Sequence, residues 1–97
     1  MSSYLDAAKL ILGPLLEDDR FARVLGSSGG YLNIAAIERP GTLSTGEQVL
    51  VAFAQAIYTQ TPNVQASITE LGKLDRDSQV RVLRAVAGFY GFEGRSL

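Results

Sequence analysis

The stretch Thr45–Thr59, TGEQVLVAFAQAIYT, decides the fold of this 97-residue chain. At about 100° per residue, its apolar side chains cover roughly two-thirds of a helical circle. The polar residues Gln48, Gln55 and Thr59 share the narrow remainder. A helix that is apolar almost all round is normally buried and has neighbours on several sides. We therefore predict a central helix over residues 45–59, with the rest of the chain packed around it.

Capping signals predict the helices that surround this central one. Ser, Thr and Asp accept hydrogen bonds from the first backbone N–H groups of a helix, whereas Gly and Pro end helices. Ser44 and Glu47 have the spacing of a capping box before the central helix. The same signals predict further helices over residues 3–12, from Asp18 or Asp19 to Leu25, from Thr61 to Leu71, and over residues 76–90.

Helical periodicity assigns an inward face to each predicted neighbour. These faces are Phe21, Val24 and Leu25 in the second helix, Val64, Ile68 and Leu71 in the fourth, and Val82, Leu83, Val86, Phe89 and Tyr90 in the last. The glycines of residues 26–30 predict a loop, and the short apolar segment Tyr31–Ile37 is interpreted as extended or short-helical. We expect an all-α fold, a compact bundle of four or five short helices in one domain, residues 1–97.

Composition excludes several classes of active site. The chain has no Cys and no His, which removes the usual ligands of zinc, haem and iron–sulfur clusters and excludes Ser-His-Asp and Cys-His catalysis. No spacing brings two carboxylates onto one apolar face, where a raised pKa would make a general acid. We therefore expect no enzyme, no metal and no cofactor.

Two further segments invite a ligand-binding interpretation, and a structural one explains each of them. Three consecutive acidic residues, 17–19, cannot face one metal ion from a helix and instead complement a helix N-terminus. Residues 43–48, LSTGEQ, resemble the signature sequence of ABC-type ATPases over six residues only. The chain lacks the phosphate-binding loop of those enzymes, and the capping box accounts for the segment.

Nothing in the sequence predicts export or a membrane span. The apolar run near the N-terminus is broken by Gly13-Pro14, is preceded by no positive charge, and is followed by acidic residues. No apolar run reaches the ~18 residues that a membrane-spanning helix needs. We expect a cytoplasmic protein that does not bind membranes.

Residues 62–90 also fit a helix-turn-helix regulator, which is the alternative function we consider. Its last helix would present Arg76, Arg81 and Arg84 to DNA. The chain carries nine basic against ten acidic residues, whereas DNA affinity rests mainly on neutralising phosphates. Asp77 also lies four residues before Arg81, the spacing of a surface ion pair. Nucleic-acid binding is therefore the less favoured function.

Two groups of residues are candidates for a protein interface. Gln48, Gln55 and Thr59 form either a solvent-exposed seam or a polar line within an interface. Phe89, Tyr90 and Phe92 add aromatic surface near the C-terminus that a small core does not fully cover, and aromatic residues are enriched at interfaces. We expect a protein partner or self-association.

The C-terminal half, residues 41–91, resembles small proteins of actinobacteria and their phages. The matching features are Ser44-Thr45-Gly46-Glu47 before an apolar helix, then Leu74-Asp75, Arg81-Val82-Leu83 and Tyr90-Gly91. The resemblance brings no activity with it and implies a phage-linked or accessory protein that acts through contacts. We therefore predict a non-enzymatic protein–protein interaction module, of the host-modulating or small structural kind that phages encode.

Overall fold

The computed structural model describes residues 3–92, and this part of the chain forms four α-helices and no β-strand. The helices are α1 (Tyr4–Leu12), α2 (Thr45–Thr59), α3 (Ile68–Leu71) and α4 (Arg76–Phe89), and four short 3₁₀ turns lie between α1 and α2. The predicted all-α class is confirmed. Within residues 3–92, no helix combines the length and the apolarity that crossing a membrane requires.

The predicted bounds of α2 are confirmed, and its first turn is closed by the predicted capping box. The Ser44 Oγ accepts a hydrogen bond from the backbone N–H of Glu47 at 3.1 Å, and the Glu47 Oε1 accepts one from the backbone N–H of Ser44 at 2.8 Å. Two N–H groups that a helix start leaves without intrahelical partners are thereby satisfied.

The packing is organised around α1 as much as around α2. Helix α1 packs extensively against both α2 and α4, whereas α2 and α4 touch each other at few positions. The position of α2 as the single hub of a bundle is therefore not confirmed. The largest side chains that are almost completely buried are those of Phe21, Ile11, Leu12, Val24, Val49 and Val82. Burying one such side chain stabilises the fold by about 1.5–3 kcal/mol.

Helix α1 begins and ends as predicted, at Ser3 and before Gly13. The Ser3 Oγ accepts a hydrogen bond from the backbone N–H of Asp6 at 3.0 Å. Gly13 has φ +50°, a conformation that L side chains rarely adopt. A Cβ added there would lie 2.6 Å from the Nε of Arg81. Gly13 therefore allows both the turn after α1 and the close approach of α4.

The predicted helix from Asp18 or Asp19 to Leu25 is wrong. Residues 13–17 and 19–21 form 3₁₀ turns, and Asp18 between them is extended, with ψ 139°. The Asp18 side chain accepts the backbone N–H of Arg20 at 2.9 Å, a local bond that competes with helix formation. The inward positions of Phe21 and Val24 are confirmed, whereas Leu25 is only partly buried and pairs with Leu32 in an isolated antiparallel bridge.

Residues 26–37 form the predicted loop followed by extended and short-helical structure. The backbone N–H of Gly26 donates to the carbonyl of Tyr31 at 3.0 Å, so the glycine-rich loop closes on itself. Residues Ile34–Ala36 then make one 3₁₀ turn. The sequence predicted that Gly26 ends a helix. In the structure Gly26 instead begins a reversal of the chain.

The predicted helix start at Thr61 is also wrong, because α3 begins only at Ile68, with Ser67 as its N-cap. The Asn63 Oδ1 accepts the backbone N–H of Gln65 at 2.9 Å, a turn that replaces helical bonds. Of the predicted inward stripe, Val64 and Ile68 are 93% and 82% exposed, and only Leu71 is partly buried.

Arg20 connects the turns after α1 to the start of α2. Its guanidinium donates to both carboxylate oxygens of Asp18 at 2.9 and 2.7 Å and to the Oε2 of Glu47 at 3.0 Å. It also donates to the backbone carbonyl of Thr42 at 3.1 Å. Bonding to Arg20 lowers the pKa of Asp18 from 3.8 to about 2. The pKa of Glu47 is lowered as well, chiefly by the backbone N–H of Ser44 and also by Arg20.

We predict that Gly13→Ala destabilises the protein by about 1–3 kcal/mol. The positive φ disfavours any Cβ, and the added methyl group must also displace the Arg81 side chain. Chemical denaturation measures the loss. Gly41→Ala is the matched control, because Gly41 has no atom within 4 Å of an added Cβ and no positive φ. Equal stabilities of the two variants would contradict this role of Gly13.

We predict that the Arg20 cluster makes stability fall steeply in acid. A carboxyl group whose pKa is lowered in the folded state stabilises that state above its unfolded pKa, and the stabilisation is lost as the pH falls through the folded value. For Asp18 this window runs from about pH 4 to about pH 2. Melting temperatures between pH 5 and pH 2 should fall less for Arg20→Gln than for the wild type. Arg23→Gln should match the wild type, and parallel curves for all three proteins would refute the prediction.

Candidate functional site

The outer surface of α4 carries a groove of about 410 Å³. We call it the α4 groove, and it is lined by Leu83, Arg84, Val86, Ala87, Tyr90 and Phe92. Arg84 is the one charged residue among them. All six residues come from a single helix and the turn that follows it, so the groove has one wall. It therefore offers a surface for another molecule to lie on and does not enclose a ligand.

The groove exists because α4 is apolar on two sides. Ser78, Val82, Ala85 and Gly88 face the interior of the protein and are buried. Leu83, Val86 and Tyr90 are 56%, 38% and 55% exposed. The sequence analysis placed these three residues on the inward face together with Val82, which is a wrong prediction. Helix α1 covers α4 from one side, and these three residues lie on the face that α1 leaves exposed.

A Schellman motif at the end of α4 shapes one end of the groove. Gly91 has φ +80°, the backbone N–H of Phe92 donates to the carbonyl of Ala87 at 2.7 Å, and that of Gly91 donates to the carbonyl of Gly88 at 3.3 Å. These bonds turn the chain back beside the last turn of the helix. Phe92 therefore lies next to Ala87, half exposed, and forms the end of the groove.

Aromatic rings fix the position of Tyr90 at the edge of the groove. The ring of Phe89 lies 4.9 Å from that of Tyr4 in α1 and 4.9 Å from that of Tyr90, which it meets edge to face at 87°. Such pairs stabilise by about 0.5–1.5 kcal/mol beyond the burial of their area. Phe89 is itself partly buried, so it belongs as much to the core as to the surface.

A second hollow of about 260 Å³ adjoins the groove and lies between α4 and α2. Val86 and Tyr90 line both hollows and form the ridge between them. On the far side, the hollow is lined by Phe53, Ala56 and Ile57 of α2, with Ile11, Gln60 and Ala66. The apolar surface is therefore wider than α4 alone.

The structure divides the six predicted interface residues into two groups. Phe89, Tyr90 and Phe92 come together at the end of α4, beside the groove. Gln48, Gln55 and Thr59 are exposed, which fits both interpretations of this polar line, and helical spacing puts them on the side of α2 opposite Phe53. Gln48 donates to the carbonyl of Leu43 at 3.2 Å, and the Thr59 hydroxyl donates to that of Gln55 at 2.8 Å.

The three predicted DNA-contact residues do not share one surface. Arg76 and Arg84 are exposed. Arg81 is partly buried against Gly13, donates to the Ser78 hydroxyl at 3.3 Å, and has a buried Nε with no hydrogen-bond partner. The predicted ion pair of Arg81 with Asp77 is not among those formed within residues 3–92.

A polar hollow between the starts of α2 and α4 contains carboxylates but no general acid among them. It measures about 270 Å³, and its carboxylates are those of Glu47 and Asp75. Both are engaged in helix capping, and hydrogen bonds from Ser78 lower the pKa of Asp75. Carboxylates with lowered pKa values stay ionised and do not donate protons near neutral pH. Across residues 3–92, no three acidic side chains are grouped so that they could hold a metal ion.

Comparison with known proteins finds no matching family model, no matching curated protein and no matching solved structure. The resemblance to proteins of actinobacteria and their phages therefore stays a prediction.

We predict that neighbouring residues of α4 differ sharply in their contribution to stability. Val82→Ala removes buried methyl groups and should lower the free energy of unfolding by about 1–3 kcal/mol. Leu83→Ala removes a side chain that is 56% exposed and should cost less than about 0.5 kcal/mol. Urea denaturation of the two variants measures the difference. A loss for Leu83→Ala as large as that for Val82→Ala would show that the groove is part of the core.

Proposed function

We propose that this protein is a non-enzymatic protein–protein interaction module that acts in the cytoplasm, folds as a compact helical bundle, and binds its partner through the α4 groove. The observation that carries the proposal is the adjacency of Leu83, Tyr90 and Phe92, all about half exposed, around a groove with one charged residue. Contiguous exposed apolar surface is typical of sites where a protein binds another macromolecule.

The free energy that is lost by exposing these apolar side chains supports the proposal of an interface. Leaving large apolar side chains in water forgoes stabilisation that burial would provide, at about 25 cal/mol per Å². The same chain buries Val82 and Ala85 on the other side of α4. Tyr90, Phe92 and Arg84, which line the groove, belong to the residue types that are enriched at interfaces.

The resemblance of residues 41–91 to small phage and actinobacterial proteins supports the biological role that we propose. A protein of this kind acts through contacts, either as a factor that modulates a host protein or as a small structural accessory. The DNA-binding alternative has less support, because α3 has only four residues and Arg81 packs against Gly13. A net charge of −1 also provides no general attraction to phosphates.

The experiment is a tagged pull-down from the organism that encodes the protein, with and without nuclease, comparing the wild type with Leu83→Asp. We expect a stoichiometric protein that survives nuclease treatment and is lost with Leu83→Asp, because a carboxylate in the groove would be desolvated on binding. Val64→Asp is the matched control, since Val64 is 93% exposed and is not among the residues that line the groove. Circular dichroism confirms that each variant is folded.

Two outcomes would refute the proposed function. Capture of the same protein by the wild type and by Leu83→Asp would show that the α4 groove is not the binding surface. Recovery of nuclease-sensitive material alone, with an affinity for DNA that falls steeply with salt, would favour the DNA-binding alternative.

A further inference from the structure

We propose that the α4 groove binds an amphipathic helix of another protein, whose apolar stripe is flanked by acidic residues. This inference rests on the proposed function and names the chemistry of the partner. It is carried by two observations on α4, the spacing of its outward apolar residues and the positive charge of Arg84, the one charged residue that lines the groove.

The spacing of the outward residues suits a partner helix. Val80, Leu83, Ala87 and Tyr90 follow one another at intervals of three, four and three residues. This is the pattern of the core positions of a coiled coil, in which a residue of one helix inserts between residues of the facing helix. Large Leu83 and small Ala87 alternate along the stripe, which leaves a recess for a partner side chain.

The one charge that lines the groove favours an acidic partner. It belongs to Arg84, which lies at a flanking position, and Arg76 is in line with the stripe one turn before Val80. The exposed carboxylate of Asp77 lies on the same flank as Arg84, one heptad earlier and beyond the residues that line the groove. Within residues 3–92 the ion pairs involve Arg20 and Lys73 as cations, and neither Arg76 nor Arg84. Flanking charges set the choice and orientation of the partner in helix pairs. Carboxylates on the incoming helix would therefore complement Arg84 and Arg76.

A second copy of this chain suits the groove less well than an acidic helix. In a twofold antiparallel pair that buries the whole stripe, Val80 faces Tyr90 and Leu83 faces Ala87 of the other copy. Next to the twofold axis, the two Arg84 side chains then meet on one flank of the stripe and the two Val86 side chains meet on the other. Like charges at this place disfavour the pair, and an acidic helix replaces that repulsion by attraction.

The test uses two designed helical peptides of about three heptads, long enough to be helical when bound. Both have Leu at the core positions, and they differ in having Glu or Lys at the flanking positions. Fluorescence anisotropy measures their binding to the whole protein at low salt. We expect the Glu peptide to bind at least about threefold more tightly than the Lys peptide, and the difference to shrink at high salt.

Variants assign the preference to the groove. Arg84→Glu should reverse the preference between the two peptides, and Leu83→Asp should abolish binding of both. Arg23→Glu, at an exposed arginine outside the groove, should leave the ratio unchanged. Equal binding of the two peptides, or tighter binding of the Lys peptide by the wild type, would overturn the inference.

Two further measurements distinguish other occupants. A dimer in sedimentation velocity that Leu83→Asp dissociates would assign the groove to a second copy, and binding to phosphatidylserine vesicles that Leu83→Asp abolishes would assign it to a membrane surface. Either result would overturn the inference. The pull-down separates failure of this inference from failure of the proposed function. A groove-dependent protein partner combined with no preference for the Glu peptide would leave the function standing and refute only the acidic helix.

Discussion

The close packing of α1 between α2 and α4 is the contact on which the rest of the structure depends. Its inward residues are Ala7, Ala8, Ile11 and Leu12, and each of them is at most 1% exposed. The two alanines let the neighbouring backbones approach, and Ile11 and Leu12 fill the space beyond them. Gly13 also allows close packing, because the absence of a Cβ leaves room for the Arg81 side chain of α4. Gly13, directly after α1, therefore allows the close approach of α4.

That arrangement also determines which side of α4 is left exposed. In this chain of 97 residues, α1 is the helix that packs extensively against α4, and it covers one side of α4. The turns after α1 are used to anchor α2 through Arg20 and Glu47, and residues 61–67 run as turns that leave Val64 in solvent. No described segment remains for the outer face of α4. The groove is therefore a consequence of where the other described segments pack.

Local capping chemistry was the part of the fold that the sequence could predict. The starts of α1, α2 and α4 depend on Ser3, Ser44 and Asp75, whose bonds are made within three residues. The two wrongly predicted helices share one cause, a local side-chain hydrogen bond that competes with helix formation. Asp18 and Asn63 each bond the backbone two residues ahead and hold a turn where a helix was expected. The three-way bonding of Arg20 to Asp18, Glu47 and Thr42 spans up to 27 residues, and no local pattern indicates it.

The candidate site was predicted in part, for a reason that lies in the geometry of α4. Its aromatic end, Phe89 to Phe92, was recognisable because three aromatic residues exceed what a small core covers. Leu83 and Val86 were missed because periodicity cannot choose between two apolar faces of one helix. Val82, Ala85 and Phe89 form one stripe and Val80, Leu83, Ala87 and Tyr90 another, and each satisfies helical spacing. The tertiary packing of α4, mainly against α1, decides between them, since Ala85 and Gly88 are buried and Leu83 is exposed. The available signal was that α4 has more apolar residues than one buried face accommodates, and it indicates that a second apolar face stays exposed.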